Sequence, residues 1–156
     1  RDRLIRILDY LDGSAFVQQD VPPGTPLLVP QPFARVGLLT LAPNQTPPGS
    51  VLHTDIHLVG VMDAPGATTP QQRLAAQLRA AMNAPGLALA LARQDALAAV
   101  HLTPAQLAQP SALPYLADLQ RQAQQACDGA AFASGEGARG IAAAIGRLAT
   151  FSWQLT

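Results

Sequence analysis

Proline and glycine constrain this chain more than any other feature. The 156 residues hold 14 prolines and 12 glycines, many of them in clusters, so regular elements must fit between the breaks. Five prolines and one glycine fall in residues 20–32, DVPPGTPLLVPQP. Each proline fixes φ and removes a backbone donor. This stretch therefore reads as a loop or irregular edge, with at most a brief pairing at Leu27-Leu28-Val29. Further breaks stand at 42–50, 63–69, 83–86, Pro110, Pro114 and 134–140.

Between these breaks, residues 3–11 set Leu4, Ile5, Leu8 and Leu11 on one helical face, with Arg3, Arg6 and Asp9 elsewhere, and Asp12-Gly13-Ser14 stops the helix. Ser14–Gln19 reads as a short strand, Arg35–Ala42 as a buried strand, and Val51–Met62, rich in β-branched residues, as the longest strand. Thr69 with Pro70 at the first helical position opens a helix carrying Leu74, Leu78, Ala81 and Met82, which Asn83-Ala84-Pro85-Gly86 closes. Leu87, Leu89 and Leu91 alternate with alanines. That pattern favours a hairpin over residues 87–102, although alanine and leucine are also strong helix formers. Thr103-Pro104 starts a helix that continues as 115–126, with Leu116, Leu119 and Ala123 on one face. Ile141, Ile145 and Leu148 mark a last helix, and Phe151–Leu155 an edge strand. The expected class is α+β: one domain over 1–156, with a mostly antiparallel or mixed sheet packed against three to four helices. The chain starts at Arg1 rather than Met, which leaves open that it is a fragment of a longer one.

Formal charge is zero and the charged fraction is 13%, about half of the usual quarter. All ten basic residues are arginines, scattered among the acids. No basic stripe exists to neutralise phosphates, which argues against nucleic-acid binding. No run of about 18 apolar residues exists, so stable membrane insertion is not expected. The helix at 3–11, flanked by Arg1, Arg3 and Arg6, could still lie on a membrane or in a partner's groove rather than on its own domain. A single cysteine, Cys127, excludes an internal disulfide and suits a reducing, cytoplasmic setting. At the end of a long helix that thiol meets the negative end of the dipole and reads as structural. The abundance of Ala, Gln and Pro suggests a bacterial source.

Two constellations could carry chemistry. On a strand, His53, Asp55 and His57 would share one face. At about 3.3 Å rise per residue the two histidines would then stand about 13 Å apart, too far to share one ion. The expected divalent site is thus Asp55 with His53 or His57, completed by His101 or Asp63, against the plainer reading of a polar stripe on a half-buried strand. The second constellation is Gly135-Glu136-Gly137-Ala138-Arg139-Gly140, which spells GxGxxG. It lacks the acidic residue about 20 positions on that a dinucleotide fold needs. Gly135, Gly137 and Arg139 remain as a small anion site at a helix start, against a plain glycine-rich helix entry.

These readings favour a non-catalytic module for protein–protein interaction, assembly or regulation, leaning away from an enzyme. It would act through a protein partner or self-association and need no cofactor, with low charge and the proline-rich segment supplying the contact surface. The alternatives are a small metal-dependent hydrolase at the histidine cluster and a small-ligand or anion sensor at the glycine-rich turn.

Overall fold

The structure, a computed structural model, describes residues 1–30, 35–129 and 137–148. In chain order the helices are α1 (Asp2–Asp12), α2 (Val17–Asp20), α3 (Ser50–Asp63), α4 (Thr69–Ala81), α5 (Asn83–Val100), α6 (Pro104–Leu107), α7 (Leu113–Asp128) and α8 (Ala138–Leu148), with a 3₁₀ turn at Pro110–Ala112. Among the described residues there is no strand and no sheet. The α+β expectation is therefore overturned, and the fold is all-helical.

The expected strands fail for physical reasons. Val51–Met62 is twelve residues long between its breaks, and that length favours a helix over a strand of four to eight residues. Its inward residues are Val51, Leu58, Val61 and Met62, a spacing of 3.6 rather than 2. Of residues 87–102, those from 87 to 100 belong to α5, which begins before Pro85 and runs straight through it, because proline and glycine are tolerated in the first helical turn. Within α5 the buried positions are Ala88, Ala92, Ala96, Ala99 and Val100. The Leu-Ala alternation satisfied both periods, and the helix propensity of those two residues decided. Ser14–Gln19 forms a turn running into α2, and 35–42 is irregular. The edge strand expected at 151–155 lies outside the described residues.

Where the sequence signals a helix directly, the structure agrees. Leu4, Ile5, Leu8 and Leu11 are buried, so α1 packs on its own domain. Asp9, expected off that face, is fully buried as well. Thr68 rather than Thr69 caps α4. Its side chain accepts from the Gln71 backbone while Gln71 reaches back, a capping box. In α7 the buried residues are Leu119, Gln122 and Ala126, so Ala123 does not face the core.

The core has two centres. In one, α5 lies between α1 and α7, joining Leu4, Ile5, Leu8 and Leu11 to Val17, Val21, Ala92, Ala96, Ala99, Val100 and Leu119. In the other, α3, α4 and α8 meet through Leu58, Ala75, Leu78, Met82, Ile141 and Ala144. A short segment, 37–40, ties the two together. Leu38 and Leu39 donate their N–H groups to the carbonyls of Tyr10 and Leu11 at 2.9 Å, at the end of α1. Ser50 and Val51, at the start of α3, donate to the carbonyls of Gly37 and Leu38. The segment thus satisfies orphan groups at two helix ends. The crossing is tight. Gly13 turns with φ 79°, and a Cβ on Gly37 would stand 2.6 Å from the Leu11 carbonyl oxygen, so both positions require glycine.

Candidate functional site

Helical geometry reassigns the His53-Thr54-Asp55-Ile56-His57 run. Residues four apart on a helix are neighbours. His53 and His57 of α3 accordingly meet edge to face with ring centroids 4.5 Å apart and Nε2 atoms 2.9 Å apart. Asp55, two residues from each, points about 200° away around the helix. There it binds Arg79 of α4, its Oδ1 accepting from Nε at 2.7 Å. That carboxylate raises the Arg79 guanidinium above its ordinary value, first by the hydrogen bond and then by charge. The structure therefore brings together the two histidines that a strand would separate, and parts Asp55 from both. Among the described residues no three or more His, Cys, Asp or Glu side chains gather where they could hold a metal ion, so His101 and Asp63 do not complete this set.

His57 also borders an apolar groove of about 580 Å³. Thr54, Leu58 and Val61 of α3 and Ile145 and Leu148 of α8 line it, with Ala64, Gly66, Ala67 and Thr68 from the connection to α4 and Gln71 from its first turn. Both histidines are exposed, and of the two only His57 lines this groove.

The glycine-rich turn is placed only in part, since Gly135 lies outside the described residues. Gly137 precedes α8 in contact with the backbone of Asp128 and Gly129, where a Cβ has no room. Arg139 donates from Nη1 to Asp128 Oδ1 at 2.7 Å and is largely exposed. Gly137 is thus used for a close helix-to-helix approach, and Arg139 already has a carboxylate partner. Cys127 is exposed.

A buried polar network escaped the reading of the sequence. Asp9 Oδ2 accepts from the backbone N–H groups of Leu28 at 2.8 Å and Val29 at 3.2 Å. The proline-rich segment is therefore held by a carboxylate rather than by a paired strand. Arg93 of α5 donates from Nε to Asp12 Oδ1 at 2.7 Å and from Nη2 to Asp20. Burial pushes the Asp12 carboxyl from 3.8 up to about 6, with Asp20 adding to the rise and Arg93 opposing it. Asp9 Oδ1, Asp12 Oδ2 and Gln122 Oε1 are buried with no hydrogen-bond partner among the described residues. The signal was present. Asp9 and Asp12 follow Ile5 and Leu8 at i+4 and so fall on the apolar stripe of α1.

The same network gives α5 an inverted surface. Both charges of this helix turn toward neighbours, Arg93 to Asp12 and Asp20, and Asp95 to Gln122 Nε2 at 2.8 Å. Its exposed line reads Asn83, Leu87, Leu91, Gln94 and Ala98, without a charge, and Leu87 is 63% and Leu91 38% exposed. Alanines face the core while these leucines face out. No helix among the described residues is long and apolar enough to cross a membrane. No protein-family model, curated protein or solved structure matches the chain.

Proposed function

We propose that this chain is a non-catalytic assembly domain that associates with a second copy of itself through the exposed line of α5. The carrying observation is the inversion of that helix, with leucine out, alanine in, and both charges turned away from the surface. Amphipathic helices normally show the reverse. Leu87, Leu91, Gln94 and Ala98 follow one another at spacings of four, three and four, the register in which one helix packs along another. A second copy is the favoured occupant because a two-fold contact places the same patch on both sides. A charge-free patch meets its own image without repulsion, and the chain has no net charge. Eighteen residues span about 27 Å. A contact of that length lies at the small end of specific interfaces, so the dimer is expected in the micromolar range.

Sedimentation velocity across about a hundredfold range of concentration tests this. The expected result is a mass that rises with concentration in the wild type and stays monomeric for Leu87→Gln/Leu91→Gln. A monomer at every concentration, or equal association by the variant, refutes the reading; the first outcome would direct the search to a different partner protein.

A further inference from the structure

We propose that His53 and His57 form a two-nitrogen chelate for one divalent transition-metal ion of the copper(II) or nickel(II) type. The proposal rests on where the helix holds the two rings. Their Nε2 atoms are 2.9 Å apart on the exposed side of α3. An ion bound at the usual metal–imidazole length of about 2.0–2.1 Å from each nitrogen would see them at about 90°. That is the angle between adjacent positions of a square-planar, tetragonal or octahedral centre, the geometries of copper(II) and nickel(II). A tetrahedral zinc ion would need the nitrogens at about 3.3–3.4 Å, given the same bond length and a tetrahedral angle. The pair as it stands therefore favours the tetragonal ions in shape, and the intrinsic affinity order, rising to copper(II), runs the same way.

An Nε2···Nε2 hydrogen bond also fixes the chemistry of loading. In such a bond one ring donates Nε2–H and the other accepts on a bare Nε2. To ligate, the donor ring gives up that proton, to its own Nδ1 or to water, leaving both Nε2 lone pairs for the ion. Asp55 takes no part, being on the far side of the helix and bound to Arg79. Since no third His, Cys, Asp or Glu among the described residues joins the pair, the remaining coordination positions go to water or to a donor from outside. The apolar groove that His57 borders would seat the hydrocarbon part of such a donor.

The test uses untagged full chain carrying Cys127→Ser, which removes the exposed thiol as a competing ligand. Copper(II) is titrated calorimetrically, and the loaded protein is examined by electron paramagnetic resonance. One ion per chain and an axial spectrum with two coupled nitrogens are expected. His53→Ala and His57→Ala should each weaken binding by at least about tenfold, because each breaks the chelate. Both positions are exposed, and circular dichroism checks that α3 persists. Asp55→Ala should bind like the parent, and so should Leu87→Gln/Leu91→Gln, which separates this site from the association surface. Absence of saturable binding, affinity retained in His53→Ala or His57→Ala, or its loss in Asp55→Ala overturns the proposal.

Discussion

Replacing Asp12 by asparagine should flatten one part of the pH dependence of stability. In the folded protein the Asp12 carboxyl titrates at about 6, against 3.8 in its unperturbed state. Burial is the first cause, and the neighbouring Asp20 carboxyl adds to it, while Arg93 pulls the other way. Well below pH 3.8 both folded and unfolded chains carry the proton, and the residue does not bias the equilibrium. Between about pH 4 and pH 6 the unfolded chain gives up its proton while the folded chain keeps it. Raising the pH then favours unfolding. Above about 6 both forms are ionised and the loss is complete. At about 1.4 kcal/mol per unit of pH, the gap from 3.8 to about 6 corresponds to about 3 kcal/mol of stability lost as the pH rises through that window. Other carboxylates titrate nearby, so the informative quantity is a double difference. Urea unfolding of wild type and Asp12→Asn at pH 4 and pH 7 isolates it, since the asparagine carries no charge at either. Relative to wild type, the variant should gain about 2 kcal/mol on going from pH 4 to pH 7, because at pH 4 the unfolded carboxyl is already partly ionised. Parallel pH profiles for the two proteins would refute the reasoning and show that the ion pair with Arg93 outweighs burial.

Two further substitutions probe the frame. Gly37→Ala should cost about 3 kcal/mol in urea unfolding, because its Cβ would press on the backbone of Leu11 and Asp12. Gly60→Ala, in α3 with open space around it, should instead gain about 1 kcal/mol. Asp9→Ala should cost about 2–4 kcal/mol by leaving the Leu28 and Val29 N–H groups without their acceptor. Asp9→Asn, which keeps an accepting oxygen, should lose less, and equal losses for the two would contradict the role given to that carboxylate.

The parts of the fold legible in the sequence were those where one signal acted alone. In α1 a stripe of leucine and isoleucine met a clean Asp-Gly stop, and α4 opened on threonine and proline with a glutamine in reach. In α8 the spacing of Ile141, Ile145 and Leu148 had one reading. Elsewhere two signals competed. Val51, Thr54, Ile56, Val59 and Val61 argued for a strand by type, whereas the length of their run and the burial of Leu58 argued for a helix. Type had to yield because β preference is the weaker, context-dependent term. The candidate metal site inherited that choice. The same five letters place the histidines about 13 Å apart on a strand and in contact on a helix. The burial of Asp9 and Asp12 was legible from their place on the stripe of α1, but what holds them was not. Their partners, Arg93 and the backbone of Leu28 and Val29, lie 81, 19 and 20 residues away, beyond the range of any local pattern.

The segment 37–40 gives the two core centres a common fate. Its backbone serves the last carbonyls of α1 with one edge and the first amides of α3 with the other. Neither helix end can fray alone without stripping the strap from its neighbour. The amides of Leu38, Leu39, Ser50 and Val51 are bound into one opening event. Changes of length fall differently on the two parts of this connection. Residues 41–48 can absorb an added loop at small entropic cost. A single residue inserted between 37 and 40 would shift the register of both helix ends at once.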